Sequence, residues 1–485
     1  MQSQPKQNFF FQHFWVMALA ALMVGCSQTL NVFWDGISLQ TLPATYYYEN
    51  HFSSVVLPSN IDTGHPPFYA YYLAKCWHFW GRNLASFHWA IFPFLIFLYA
   101  NYAALLRYFL PDKKTSLLTF GGLFALFLLQ PTLLAQSSLA TTDVVIIAGF
   151  VGALRAIVYR HKIGLFLSLL LLCSVSLRGI FLVGAIFVCH YLFEYLCGNM
   201  QQQSRFLLSP QKLLPYFLVA LLLGIWWIYH YQINGFWLEN HHSPWAVNYG
   251  FANGKRFLWN IAVVFWRLLD VGMLAIWVTL AYYFGRDIGK KKAFESREKT
   301  FLFGCLSVVF LTLSLPVVLK EIPIMHRYFL PIQVLATLWL SVYLSSENLL
   351  QRYLIIFLLL LHLIMGHRWI HRPPIANGWD ASLAFLPYQS LERQLHSDID
   401  SLAIPPSKIY TTFPLLHSRK YTHLLQDTSN FKMFKPTFLS QTPYFLHSNL
   451  SNDMSPEIQQ IIRSKGKVIR IWQRFGVYII LYKLN

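Results

Sequence analysis

The chain has 485 residues, of which 55% are hydrophobic, 17% aromatic and only 12% charged, against roughly 25% charged in an average soluble domain. That composition excludes a purely soluble protein. The net charge of +18 is dispersed, with no basic patch alternating with stacking aromatics, which excludes nucleic acid as the partner.

Apolar windows of about 17–25 residues predict helices over 14–30, 84–106, 115–134, 143–159, 163–176 and 180–197. Further windows cover 213–231, 257–284, 301–319, 327–344 and 353–367. Lipid offers the backbone no hydrogen-bond partner, so these stretches must satisfy themselves as helices. The fold class is a polytopic α-helical membrane protein with roughly eleven spans, occupying residues 1–367. Met23-Val24-Gly25-Cys26 resembles a lipoprotein cleavage site, but a retained first anchor is the expectation.

Basic residues gather in alternate loops: Arg107, Lys113 and Lys114; Arg155, Arg160 and Lys162; Arg205 and Lys212. The densest loop holds Arg286, Lys290, Lys291, Lys292, Arg297 and Lys299. That side is cytoplasmic by the positive-inside rule, Lys6 places the N-terminus there, and anionic membrane lipids are its ordinary partners. The loops 31–83, 135–142, 232–256 and 320–326 then face outward.

Loop 31–83 is rich in aromatics, and its segments 37–50 and 67–80 predict short helices in the interface plane, with rings at head-group level. Loop 232–256, with Trp237, Glu239, His241, His242 and Trp245, is a second candidate cover. Of six cysteines only Cys76 falls in an outward loop, and no disulfide framework or zinc spacing appears. Pro373-Pro374 and Asn377-Gly378 mark a boundary. The tail over 368–485 predicts strands at 408–412, 467–472 and 476–482 and helices at 383–397 and 456–464. It is expected to form a small extramembrane α/β domain.

Polar residues at outward helix ends fall into four groups. Asp35 follows the first span, and Asp62-Thr63-Gly64-His65-Pro66-Pro67 lies in the first loop. Asp143 opens the fourth span, with Arg178 between the fifth and sixth. Lys320 and Glu321 precede His326-Arg327-Tyr328-Phe329-Leu330-Pro331. Asp35 and Asp143 also fit helix caps, and Arg178 and Arg327 fit cations that snorkel to the interface. Taken together, two carboxylates facing several cations across a shared cavity suit a lipid-linked phosphate and a reacting hydroxyl.

An acid after the first span, x-Pro-Pro in the same loop, an acid opening the fourth span and Arg-Tyr-x-Leu-Pro late in the membrane region resemble the GT-C class. Within it, about residues 10–345 are similar to the protein O-mannosyltransferase and aminoarabinose transferase superfamily. The resemblance implies a glycosyltransferase of the bacterial inner membrane, with active site and tail facing the periplasm. It would invert the sugar as it passes from a polyprenyl-phosphate donor to an envelope lipid such as lipid A, a glycan or a protein.

By position, the resemblance makes Asp35 the catalytic base and Asp143 the second acid. His65 stands where aminoarabinose transferases carry a lysine. Arg178, Arg327 and Tyr328 surround the donor phosphate, and Asp62, Lys320 and Glu321 are further candidates. The chain departs from the protein mannosyltransferases at Gly36, where they show a second acid, and lacks a long inserted β-domain. The mechanism requires no metal, although a divalent ion remains compatible with it.

The chemistry of the residues agrees. A hydroxyl is a poor nucleophile and needs a carboxylate to take its proton, whereas a phosphate leaving group needs fixed positive charge. The alternative is a secondary transporter, which would place ionisable groups near the midplane. Arg267 and Asp270, inside 257–284, either pair one helical turn apart or mark a polar break.

Overall fold

Each apolar window lies on a helix in the computed structural model, which describes residues 9–110, 116–197, 209–237, 240, 250–368, 378–427, 429–451 and 454–484. Expectations resting on Lys6, Lys113, Lys114, Arg205, Glu239, His241, His242, Trp245, Pro373, Pro374 and Asn377 fall outside the described residues. The order begins α1 (Phe9–Ser27), α2 (Leu42–Glu49), α3 (Phe68–Trp80), α4 (Leu84–Trp89) and α5 (Phe92–Phe109). It continues with α6 (Leu117–Leu128), α7 (Pro131–Ser138), α8 (Thr142–Val158), α9 (Lys162–Cys173), α10 (Leu177–Cys197) and α11 (Pro210–Asn234). Then come α12 (Gly254–Leu269), α13 (Leu274–Gly289), α14 (Arg297–Leu319), α15 (Leu330–Ser345) and α16 (Leu349–Gly366).

Among the described residues, 6 helices are long and apolar enough to cross a membrane, or up to 8 if each of two bent pairs is one span; Phe14–Ser27 and Lys162–Cys173 are shorter apolar helices. Outer helices expose rows of large apolar side chains such as Phe217, Leu221, Ile225 and Ile228 on α11, the surface that lipid covers. By contrast α8 is buried at every residue but Arg155, and α15 at every residue but Ser345. A helix apolar on all sides belongs at the centre. These two central helices carry Asp143 and Arg327 at or just before their first turns.

Two windows are corrected. The first, 115–134, is α6 and α7, bent by 70°, and the second, 257–284, is α12 and α13, bent by 91°. The second break follows from Asp270. Its Oδ1 accepts the Val271 N–H at 2.8 Å, and its Oδ2 lies 2.8 Å from His326 Nε2. Arg267 Nε donates to the Ile324 carbonyl at 2.9 Å. Both charged residues thus contact the 324–326 segment, the approach to Arg327.

The aromatic first loop is also corrected. Helices form over α2 and α3, but Tyr47, Tyr69 and Trp77 are fully buried against one another and the bundle rather than presented at head-group level. Only rings such as Phe79 and Trp80 are exposed.

After α16 come α17 (Leu386–Ser401), β1 (Ile409–Thr411), α18 (Arg419–Thr422), β2 (Lys432–Met433), β3 (Tyr444–Ser448), α19 (Pro456–Lys465), β4 (Lys467–Arg474) and β5 (Val477–Lys483). The sheet runs β2-β1-β3-β5-β4. β1 is parallel to both β2 and β3, and β5 is antiparallel to β3 and β4. The β1, β4 and β5 strands and both helices match the sequence expectation, whereas β2, β3 and α18 were not foreseen. The sheet core of Ile409, Leu446, Ile479 and Leu481 also takes in Phe33 and Trp34 from the chain after α1. Phe33 stacks on Phe385 at 5.3 Å, and Trp34 meets Phe413 edge-on at 4.7 Å. This apolar plug fastens the sheet layer over the start of the first loop.

Asp270→Ala leaves the Val271 N–H and the His326 ring short of a buried partner, and a loss of about 2–3 kcal/mol is expected. Thermal unfolding of purified protein in detergent measures it; an unchanged midpoint would show that the bend does not depend on this carboxylate.

Candidate functional site

The site assembles where four parts of the chain meet. Trp34 adopts φ 56°, a conformation uncommon outside glycine, and the resulting turn presents Asp35 at the start of the first loop. Asp143 lies in the first turn of α8. There the helix dipole favours a carboxylate. Gly179 lets the start of α10 press against α9: a Cβ there would meet the Leu172 carbonyl oxygen at 1.9 Å. That contact holds Arg178 beside α8. Arg327 sits in a 3-10 turn, His326–Phe329, leading into α15.

Arg327 is the hub. Its Nη2 donates to Asp35 and its Nη1 to Asp380, and its Nε lies 3.4 Å from Asp143 Oδ2. Arg178 Nη1 binds the other oxygen of Asp143 at 2.8 Å, and its guanidinium lies 4.3 Å from the centre of the Tyr328 ring. Two cations thus face three carboxylates, and the planar guanidinium each carries suits oxyanions. Asp35 is the most open of the acids, its side chain 24% exposed. Burial raises its pKa above the ordinary carboxylate value; Arg327 opposes that shift, while Asp380 and Asp143 add to it.

Two cavities flank this hub. One is lined by Trp34, Asp35, Gln40, Gln136, Asp143, Arg327 and Asp380 among others. The second is walled by Ile146, Ile147, Leu182, Leu313 and Leu330 and carries Arg178, Arg327 and Tyr328. Asp143 and Arg327 line both. One chamber is therefore rich in carboxylates and the other is apolar with cationic groups at its wall.

Of the residues singled out in the sequence, Asp35, Asp143, Arg178, Arg327 and Tyr328 come together. Four do not line either cavity. Asp62 is a structural anchor: its carboxylate lies 2.7 Å from His230 Nε2 and accepts from Asn234 at 2.9 Å and the Gly64 N–H at 2.7 Å. Lys320 and Glu321 pair with the returning chain, Lys320 bridging to Phe251 and the Glu321 N–H donating to the Gly250 carbonyl at 2.9 Å.

His65 lies beside Arg178 without lining either cavity. Burial, followed by the nearby Arg178 charge, pushes its pKa down to about 4, so it is neutral at pH 7. Its Nδ1 accepts the Leu177 N–H at 3.4 Å, a contact at the turn that presents Arg178.

Asp380 was missed. It lies in the 3-10 turn Trp379–Ala381, 3% exposed, and Gln136 Nε2 donates to its carbonyl at 2.8 Å and its carboxylate at 3.2 Å. Gly378 brings this turn against the membrane part, since a Cβ there would meet His326 Nδ1 at 2.6 Å. The Asn377-Gly378 pair signalled a boundary; nothing in the spacing linked the next acid to Arg327. The three carboxylates offer the oxygen ligands a hard divalent ion uses, but Arg327 stands where they converge and supplies the positive charge there.

Arg327→Ala leaves these acids without their shared cation, two of them buried, and should lower stability by about 3–5 kcal/mol. Asp380→Asn, which removes one negative charge, should lower the thermal midpoint far less. Equal midpoints for wild type and Arg327→Ala would contradict a core held by charge balance.

No protein-family model matches the chain, and no curated protein matches it in sequence. Two solved structures match its fold. ArnT from Cupriavidus metallidurans bound to undecaprenyl phosphate has TM-score 0.55 at 10% identity, covering 96% of this chain and 97% of that one. ArnT from the same organism in the apo state has TM-score 0.56 at 10% identity, with 98% of each chain covered. The likeness is one of fold, and the fold is of the GT-C type.

Proposed function

We propose that the protein is an inverting glycosyltransferase that moves a sugar from a polyprenyl phosphate to a hydroxyl or phosphate of an envelope lipid, glycan or protein. The observation that carries this reading is Arg327, which stands between an apolar cationic chamber and a carboxylate chamber. Ile146, Ile147, Leu182 and Leu313 suit the isoprenoid end of a donor, and Arg178 and Arg327 suit its phosphate. ArnT's structure with undecaprenyl phosphate supports the same choice of donor.

In the proposed reaction the acceptor hydroxyl enters beside Asp35 and gives it a proton as oxygen attacks C1 of the sugar. The bond from C1 to the phosphate oxygen breaks on the opposite face, and polyprenyl phosphate leaves with its negative charge on Arg178 and Arg327. Attack opposite the departing group inverts C1. In the structure Arg327 contacts Asp35. A phosphate that draws Arg327 away removes the one cause that lowers the Asp35 pKa most, so donor binding itself strengthens the base. Asp143, shared by both guanidiniums, would keep them aligned during the exchange.

Orientation follows from charge. Arg155 and Arg160 lie at the far end of α8 from Asp143, and Arg297 and Lys299 at the far end of α14 from the 320–327 turn. The positive-inside rule then puts the site on the periplasmic side of a bacterial inner membrane. As part of the same proposal, residues 1–367 form the transferase body and 368–485 a periplasmic domain that supplies Asp380. The transporter alternative loses its main support, because Arg267 and Asp270 are engaged with Ile324 and His326.

Asp35→Asn is expected to cut turnover on the order of 10²–10⁴-fold with little change in thermal midpoint, measured as polyprenyl phosphate released from a labelled donor. Near-normal release by that variant would remove Asp35 from the mechanism. For wild type, kcat/KM should rise with pH through an acid limb above the usual carboxylate value near 4, because the base works deprotonated and its pKa is raised. A limb at or below that value would contradict the assignment. Arg178→Ala should mainly raise KM for the donor; an unchanged KM would leave Arg178 as a structural partner of Asp143.

A further inference from the structure

Away from both chambers, one trio of ligating side chains converges among the described residues: Glu392, His396 and His423, whose donor atoms all lie within 4.8 Å of one another. Glu392 and His396 are four apart on α17 and so share a face. His423 arrives from the end of α18. We propose that these three side chains bind a transition-metal ion, with zinc the best match, and that the ion clamps the sheet layer to the chain leading into Asp35. The inference does not depend on the sugar-transfer proposal.

Two imidazoles and one carboxylate are a common donor set for zinc. Bonds of about 2.0–2.1 Å at tetrahedral angles put ligand atoms about 3.3 Å apart, within reach of small side-chain rotations from the present spacing. The ring of His423 is already oriented. Thr422 Oγ1 donates to the Ser418 carbonyl at 3.4 Å and lies 2.8 Å from His423 Nδ1. With its own proton so used, the hydroxyl accepts from Nδ1–H, which leaves the Nε2 lone pair facing the trio. Such an outer contact typically fixes the tautomer of a metal-binding histidine.

A positively polarised group already stands at this point. Asn31 Nδ2 lies 3.0 Å from Glu392 Oε2 and 2.9 Å from His423 Nε2, so lone pairs from two different segments converge on one amide nitrogen. A half-turn of that amide replaces nitrogen by oxygen and adds a fourth donor. A pocket lined by His396, Arg419 and Asp427 offers an entry route.

The consequence is mechanical. The Asn31 N–H donates to Gln389 Oε1 at 2.7 Å, and Gln389 Nε2 donates back to the Asn31 carbonyl at 3.2 Å. An ion held by α17, α18 and the Asn31 amide would fix the chain four residues before Asp35.

The test uses the full-length protein in detergent, stripped with a chelator and titrated with Co²⁺ and then Zn²⁺. Wild type is expected to take up one ion per chain, with the visible absorption of tetrahedral Co²⁺, which Zn²⁺ displaces, and a higher thermal midpoint. His396→Gln and His423→Gln should each weaken Co²⁺ affinity at least roughly tenfold. Glu392→Gln serves in place of any histidine variant whose metal-free midpoint shows that it does not fold. Absence of uptake by wild type, or affinity unchanged in the folded variants, overturns the proposal.

Discussion

One guanidinium joins the parts of this protein that sequence keeps far apart. Arg327 contacts Asp35 from the first loop, Asp143 from the centre of the bundle and Asp380 from beyond the last membrane helix. A buried charge is tolerated only when it is paired and hydrogen-bonded, so each acid constrains where its element sits. The surrounding structure supports that meeting point: the bend at Asp270 holds the approach to Arg327, and Phe33 and Trp34 anchor the segment before Asp35 in the sheet core. Burying such a cluster contributes little net stability. Its worth lies in defining one geometry and in keeping cations poised for an anion.

The arrangement also separates two environments by one residue layer. Apolar side chains of α8, α10 and α14 wall one chamber, and the carboxylates gather in the other. In the proposed reaction a lipid-borne phosphate and a polar acceptor need opposite surroundings, and both must reach the same reacting bond. Arg327 and Asp143, common to both walls, stand where such substrates would meet.

Much of this was legible from the amino acids. Spans are visible because lipid forces long apolar runs into helices, and Asp35, Asp143, Arg178, Arg327 and Tyr328 stand out as polar residues at the same ends of those runs. What stayed hidden depends on distant pairing. Asp62 resembles a site acid in sequence, but its partners His230 and Asn234 lie 168 and 172 residues away. Asp380 is an acid in a turn after a loop, with nothing local to tie it to Arg327. Arg267 and Asp270 marked a possible polar break between α12 and α13, but the partner that fixes Asp270 there, His326, lies 56 residues away. β3 escaped notice because four of its five residues are buried, which removes the alternation that marks a half-exposed strand.

The central claim is that Arg327 rests on carboxylates and is transferred to a phosphate when the donor binds. The most direct test is the affinity of purified protein for polyprenyl phosphate in detergent, compared among wild type, Asp380→Asn and Arg327→Ala. Neutralising Asp380 should release part of the hold on Arg327 and tighten binding roughly tenfold, about 1.4 kcal/mol, while Arg327→Ala should bind far more weakly than wild type. Unchanged affinity in both variants would contradict the claim.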